Sequence, residues 1–214
     1  MAPIRLKRSA QKAAARVASF LDRQEQFVEI HDLVDAGLLV IGRHTYGVPK
    51  VWMYRGSESK IVIGAFCSIS PGAQIVAGGI HPAQWVSTFP FRARWRLPGS
   101  LTDGMPATKG NIEIGSDVWI GTDAMIVSGV TIGHGAIISS RAVVTQAVRS
   151  YAIVAGVPAR EIGMRFADKQ VEDLLRIKWW EWDEEDILAA VSLLSSPDIS
   201  SFLSKYGRGR ERDE

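Results

Sequence analysis

An aliphatic residue recurs at every sixth position through the middle of the chain, and this period constrains the fold more than any other feature. Four positions after each aliphatic stands a small or β-branched residue. The aliphatics are Ile63, Ile69, Ile75, Ile114, Ile120, Ile126, Ile132, Ile138 and Val144, and the small or β-branched residues are Cys67, Ala73, Gly79, Val118, Ala124, Val130, Ala136, Ala142 and Val148. A period of six matches neither an amphipathic helix nor an alternating strand.

This period suits a chain that winds around a triangular prism with one hexad along each face. The aliphatic fills the interior, the small residue fits the corner, and glycine at Gly64 and Gly121 relieves crowding where the backbone turns. A parallel sheet with helical crossovers is disfavoured, because the hexads leave no room for the roughly ten residues of a crossover. We therefore predict a mainly β fold, a parallel β-helix of hexapeptide repeats.

Charge and cysteine content restrict the class of protein. The 25 basic and 23 acidic residues nearly balance, so the net field is too weak to indicate nucleic acid as a partner. No window approaches the roughly 20 apolar residues of a membrane span. Cys67 is the one cysteine, and its corner position predicts a structural role instead of a nucleophile. We expect a cytoplasmic protein without a membrane span.

Breaks in the hexad pattern predict the domain organisation. Leu38 to Tyr46 begin an imperfect first coil, and residues 47–60 are predicted to be a loop. Apolar residues at helical spacing predict helices over Asp168 to Trp180, Glu184 to Leu194 and Asp198 to Tyr206. The predicted parts are an N-terminal helical extension at 1–37, a β-helix at 38–160 with a long excursion at 77–111, a C-terminal helical cap at 161–206 and a tail at 207–214. Residues 1–21 are basic and are predicted to be a short surface or docking helix, with a targeting or membrane-surface segment as the alternative. We expect Trp179, Trp180 and Trp182 to pack on the open end of the prism.

One of the four histidines stands apart from the others. His134 occupies a regular coil position, where we expect it to point to solvent, with contact to a cofactor along the prism as the alternative. His31 and His44 suit surface or packing roles. His81 lies in the excursion, and an imidazole can accept a proton at neutral pH. Insertions in repeat proteins tend to carry binding sites, so His81 is the candidate general base.

Several segments around His81 resemble a known family. They are residues 63–69 (IGAFCSI), 85–91 (WVSTFPF), 114–121 (IGSDVWIG) and 156–160 (GVPAR), followed by the tryptophan-rich helix. Together they resemble the xenobiotic acetyltransferase branch of the hexapeptide-repeat acyltransferases, over residues 38–205. The resemblance implies a left-handed β-helix, acetyl-CoA as co-substrate with no metal, His81 as general base, and a homotrimer with active sites between neighbouring prisms.

The resemblance also implies which side chains bind each substrate. Along the CoA channel it suggests Trp119, Ser139, Ser140, Thr145 and Arg160. The family commonly has lysine after the threonine, whereas this chain has Gln146, so Arg141 or Arg160 is the candidate phosphate contact. Aromatic side chains that could stack on an acceptor are Tyr46, Trp85, Phe89 and Phe91. Trp119 could equally be an exposed aromatic at a corner of the prism.

Two features of the excursion bear on the acceptor. Arg92, Arg94 and Arg96 alternate with other residues, and in an extended segment they would share one face. Such a face would suit an anionic acceptor, the nucleotide end of CoA, a solvated edge or a trimer contact. The approach to His81 at residues 77–80 is AGGI, not the asparagine-rich sequence of family members that act on antibiotics.

The leading hypothesis is O-acetylation of a small acceptor, a sugar or glycan precursor or an antibiotic-like molecule, in a direct ternary complex. N-acetylation of a nucleotide-linked amino sugar is an alternative that the sequence does not separate. A metal-dependent prism of the γ-carbonic anhydrase type needs three converging histidines, which this chain does not offer. A non-catalytic structural prism is the remaining alternative, against which the excursion argues.

Overall fold

Three sheets, visited by the chain in rotation, form the larger part of this structure, a computed structural model that describes residues 11, 12, 15, 27–56 and 59–207. The first sheet contains β2 (Leu39–Ile41), β4 (Ile61–Ile63), β7 (Ile112–Ile114) and β10 (Thr131–Ile132). The second contains β5 (Ser68–Ile69), β8 (Trp119–Ile120), β11 (Ile137–Ile138), β13 (Ala152–Ala155) and β14 (Arg160–Met164). The third contains β1 (Phe27–Val28), β3 (Lys50–Trp52), β6 (Gln74–Val76), β9 (Met125–Val127) and β12 (Val143–Val144).

The register between strands follows the sequence period. Ile114 pairs with Ile132, Ile120 with Ile138 and Ile126 with Val144, one pair in each sheet, and all three pairings are parallel. Each pair is separated by three hexads, so one coil consists of three hexads, as predicted. The mainly β class with parallel sheets is therefore confirmed.

The aliphatic side chains at every sixth position form a column inside the coils that is closed to solvent. From Ile63 to Val144, each of the nine predicted core aliphatics is at most 3% exposed. Burial of one isoleucine side chain contributes about 1.5–3 kcal/mol, so the column is the main source of stability in the coils. Ile63 also pairs with Ile114 across the excursion, so the repeat resumes in register after the chain returns.

The prediction that residues 47–60 form only a loop is wrong. Lys50–Trp52 is strand β3, which pairs in parallel with β6 and antiparallel with β1. Tyr46 pairs with Ser68, and Val51 pairs with Ile75. The chain therefore advances five residues between these two pairings in this coil and seven in the next coil. The shortened face breaks the six-residue period, and a search for that period therefore misses the strand.

Residues 77–111 lie between β6 and β7. Within this excursion α2 (Phe91–Trp95) is helical, and Arg94 N donates to Pro90 O at 2.9 Å. The expectation that Arg92, Arg94 and Arg96 share one face of an extended segment is therefore wrong. Successive residues of a helix are rotated by about 100°, which separates alternate side chains.

Residues 164–207 form a second compact unit. It contains α3 (Asp168–Ile177), a 3₁₀ turn (Trp179–Glu181), α4 (Glu184–Leu194) and α5 (Ile199–Tyr206), which confirms the predicted helical C-terminus. Trp180 is buried, and the Trp182 ring lies 6.1 Å from Phe202 and 4.9 Å from Tyr206. Packing of these tryptophans on the end of the prism stays a prediction.

The N-terminal part contributes α1 (Ile30–Asp35) beside β1. The docking helix predicted over residues 1–21 lies outside the described residues, apart from Gln11, Lys12 and Ala15, which are helical. Among the described residues, no helix is both long enough and apolar enough to cross a membrane.

Candidate active site

His81 lies where the excursion begins, directly after a backbone bridge. Ile80 N donates to Ala107 O at 2.9 Å and Ala107 N donates to Ile80 O at 2.8 Å, so the two ends of the excursion are joined. The His81 side chain is exposed, and its Nδ1 lies 2.6 Å from the carbonyl oxygen of Thr88. A carbonyl oxygen can only accept, so Nδ1 donates, and Nε2 of the neutral ring carries the lone pair. This tautomer can take a proton through Nε2.

Local hydrogen bonds hold the turn that presents the Thr88 carbonyl. Phe89 N donates to Ser87 Oγ at 3.1 Å, and Trp85 N donates to Pro82 O at 3.3 Å. The segment from His81 to Phe89 thus closes on itself. Short turns of this kind are built from serine and proline, which explains why this stretch carries both.

Three aromatic rings pack together next to this turn. The ring centroids of Phe89 and Phe91 are 4.8 Å apart, and those of Phe91 and Trp95 are 5.0 Å apart. All three side chains remain between 42% and 64% exposed. Arg92 Nη1 donates to Asp103 Oδ2 at 3.3 Å and ties the helix to the far end of the excursion. Two of the predicted acceptor residues, Phe89 and Phe91, are therefore brought together, and Trp85 lies half-buried in the same excursion.

The other predicted aromatic residues lie on the second sheet. Backbone pairing aligns Tyr46 with Ser68, and Ser68 with Trp119. Tyr46 is 67% exposed and Trp119 is 52% exposed, while Val118 and Ile120, the neighbours of Trp119, are buried. Two strand spacings, roughly 9.6 Å, separate the two backbones. The structure therefore brings Tyr46 and Trp119 onto one outer ladder.

Two of the predicted cofactor residues, Ser139 and Ser140, lie where the chain passes from the second to the third sheet. Ser139, Ser140 and Arg141 form this corner in one coil, and Arg141 Nε lies 3.7 Å from Asp123 Oδ2. In the next coil the turn before Arg160 packs on Val143, which donates from N to Gly156 O at 3.0 Å. Arg160 is exposed, and its Nη1 donates to Ala159 O at 2.8 Å. Thr145 directly follows β12.

His134 does not point freely into solvent, and that expectation is wrong. Its Nδ1 accepts from Ser116 N at 2.9 Å, and Ser116 Oγ accepts from Ala65 N at 3.1 Å. These bonds link three successive coils at one corner. The backbone N–H groups of Ser116 and Ala65 need acceptors, and these two side chains supply them. His44 stacks on Phe66 with ring centroids 4.9 Å apart, which agrees with a packing role.

Cys67 has the structural environment that its register predicts. The side chain is buried, and Sγ lies 3.1 Å from the carbonyl oxygen of Gly115. Burial raises the pKa of the Cys67 thiol above its ordinary value. A buried, protonated thiol is a poor nucleophile, so Cys67 does not contribute to the candidate site.

A supporting segment beneath the excursion was missed by sequence reasoning. We call residues 53–56 and 59–60 the bracket. The Tyr54 ring lies against the backbone of Gly79, and Ser59 Oγ is 2.8 Å from Thr108 Oγ1, which donates to Ala77 O at 3.0 Å. The one sequence signal was the Gly78–Gly79 pair just before His81.

Within residues 27–56 and 59–207 and the three described N-terminal positions, no three His, Cys, Asp or Glu side chains are arranged to hold a metal ion.

The known proteins that this chain resembles are transferases. The family model described as bacterial transferase hexapeptide (six repeats) matches residues 111–146. The chain is 44% identical to a chloramphenicol acetyltransferase of Klebsiella aerogenes over 71% of this chain and 73% of that protein. It is 36% identical to a probable macrolide acetyltransferase of Lysinibacillus sphaericus (72% and 88% covered). It is 41% identical to a virginiamycin A acetyltransferase of Staphylococcus aureus (78% and 81% covered).

Proposed function

The chain belongs to the xenobiotic acetyltransferase branch of the hexapeptide-repeat acyltransferases, and from this premise we propose that it O-acetylates a small hydroxylated acceptor with His81 as general base. The observation that carries the proposal is the 2.6 Å contact between His81 Nδ1 and Thr88 O. That contact leaves the lone pair on Nε2, the nitrogen that an acceptor hydroxyl would meet.

The chemistry needs one proton acceptor and no covalent enzyme intermediate. Acetyl-CoA supplies an activated acetyl thioester. His81 Nε2 takes the proton of the acceptor hydroxyl as that oxygen attacks the thioester carbonyl carbon. The new C–O bond forms, the C–S bond breaks, and the imidazolium returns its proton to the departing thiolate. The ring is then neutral again, with its proton on Nδ1.

The corner between the second and third sheets is the proposed CoA-binding surface. Trp119, with 52% of its side chain exposed, offers an apolar face for the pantetheine arm. Ser139 and Ser140 lie at this corner, and Thr145 follows β12, at the other end of the same strand. Arg160, assisted by Arg141, supplies positive charge for phosphate, a contact that guanidinium groups make well.

The aromatic side chains of the excursion are the proposed acceptor platform. Phe89 and Phe91 form one exposed cluster, and Trp85 and Tyr46 would add further stacking surfaces. The relatives are named for chloramphenicol, a macrolide and virginiamycin, so a hydroxylated antibiotic is the first acceptor class to test. A sugar or glycan precursor is the second.

The proposed assembly is a homotrimer of left-handed β-helices, with His81 facing a neighbouring subunit's prism. The exposed outer ladder that includes Tyr46 and Trp119 supports this, because an aromatic face of that kind is more stable when covered. Sedimentation equilibrium would give three times the 23.4 kDa chain mass.

A thiol-release assay tests the proposed reaction. Purified protein is given acetyl-CoA with one candidate acceptor at a time: chloramphenicol, a macrolide, virginiamycin, a hydroxylated sugar or an amino sugar. Release of CoA with an O-acetylated product supports the proposal. Release only with the amino sugar, giving an N-acetylated product, contradicts the O-acetylation proposed here.

A further inference from the structure

The contact between the bracket and the start of the excursion is unusually close. A Cβ built on Gly79 would lie 2.5 Å from Tyr54 Cζ, 2.6 Å from Cε2 and 2.7 Å from Cε1. The Tyr54 ring therefore occupies the place where a side chain at residue 79 would stand. Gly79 also has φ +81°, a backbone conformation that favours glycine.

The same short segment leads directly to His81. Ala77 O accepts from Thr108 Oγ1 at 3.0 Å, and Ile80 is bridged to Ala107 in both directions. Between Ala77 and Ile80, the Tyr54 ring lies against Gly79. The ring is half-buried, and burial raises the pKa of the Tyr54 hydroxyl.

The His81 side chain itself is exposed and is oriented by the Thr88 carbonyl. Its position therefore depends on the backbone that enters the excursion. If the backbone at Gly79 turned to another conformation, the path to His81 would change and the 2.6 Å contact would be lost. A shift of about 1 Å at a catalytic group can lower turnover by roughly 10²-fold.

We propose that Tyr54 is a positioning residue for His81, whose ring holds the Gly79 backbone so that the imidazole keeps its contact with the Thr88 carbonyl. This inference rests on the proposed role of His81 as general base. It assigns the effect to the ring of Tyr54 and gives its hydroxyl no part in the reaction.

Kinetic constants of three variants test the inference. Tyr54→Ala removes the ring and should lower kcat by about 10- to 100-fold, with KM for acetyl-CoA changed by less than about twofold. Tyr54→Phe keeps the ring and should restore kcat to within about threefold of the wild type. Tyr206→Ala, which removes a half-buried tyrosine from the C-terminal helical unit, is the matched control and should leave kcat unchanged.

A spectroscopic measurement separates positioning from general loss of structure. In protein labelled with ¹⁵N-histidine, His81 is assigned by the signals that disappear in His81→Ala. The wild type and Tyr54→Phe should show the Nδ1–H tautomer, and Tyr54→Ala should show an averaged ring. If Tyr54→Ala does not fold, Tyr54→Leu, which keeps an apolar side chain without the ring, takes its place.

Three outcomes overturn the inference. The first is Tyr54→Ala with wild-type kcat and an unchanged His81 tautomer, although His81→Ala is inactive; the proposed function then stands. The second is Tyr54→Phe as defective as Tyr54→Ala, which would assign the effect to the hydroxyl. The third is wild-type activity in His81→Ala. This result would contradict the proposed function, and His81 would then need no positioning residue.

Discussion

Nδ1 of His81 lies 2.6 Å from the backbone carbonyl oxygen of Thr88, so the imidazole is oriented by a peptide group of its own excursion. The tautomer of the ring is therefore set by loop conformation and not by another side chain. The tautomer of the residue that we propose as general base therefore depends on how this one insertion folds.

This relationship predicts that the Thr88 side chain is dispensable. Thr88→Ala keeps the carbonyl, so kcat should stay within about twofold of the wild type in the thiol-release assay. Ser87→Ala removes the acceptor for Phe89 N, loosens the turn, and should lower kcat by a larger factor, about three- to tenfold. A loss in Thr88→Ala that exceeds the loss in Ser87→Ala would contradict the backbone role.

Trp119 is predicted to act in acetyl-CoA binding. Trp119→Ala should raise KM for acetyl-CoA about tenfold or more, corresponding to about 1.4 kcal/mol, because an exposed apolar contact is lost. Val62→Ala is a suitable control, since Val62 is also an exposed strand residue but lies on the first sheet. Equal KM values for both variants would contradict a role of Trp119 in acetyl-CoA binding.

Burial of the interior column predicts that alanine substitutions at two neighbouring positions of β9 reduce stability by different amounts. Ile126→Ala should reduce the free energy of unfolding by about 2–5 kcal/mol, because it leaves a cavity in the dry core. Val127→Ala, on the outward side of the same strand, should cost less than about 1.5 kcal/mol. Urea denaturation measures both. Similar losses at the two positions would contradict the inward and outward assignment.

Burial of the Cys67 thiol predicts how the stability of the fold changes with pH. The pKa of the buried thiol is raised from its ordinary value of 9.0, so above that value the unfolded chain loses a proton that the folded chain keeps. Stability should therefore fall as pH rises above 9, and part of this fall should disappear in Cys67→Ala. Thermal denaturation between pH 7 and 10 measures the difference. Identical pH profiles for the two proteins would contradict it.

Sequence reasoning predicted the coils because each face has the same physical requirement. An inward aliphatic and a small corner residue are needed on every face, so the period is visible without a structure. Strand β3 was missed because only four residues lie between Tyr46 and Val51, whereas six lie between their partners Ser68 and Ile75 in the next coil. Helix α2 was missed because five residues are too few to show a helical period.

The candidate site was predictable only in part. His81 was recognisable because the one long insertion carries it among aromatic residues. Its contact with Thr88 and the ring of Tyr54 beneath Gly79 were not, because neither segment repeats a pattern and both contacts depend on how loops meet. His134 was misjudged for a related reason: its partner is the backbone of Ser116, in the preceding coil.

The most direct test of the central claim is the turnover of His81→Ala. The side chain is exposed, so its removal should leave the melting temperature and the thermal shift caused by acetyl-CoA nearly unchanged. Loss of a general base should lower kcat by about 10² to 10⁴. Turnover close to that of the wild type, in a variant that folds and binds acetyl-CoA normally, would contradict the account.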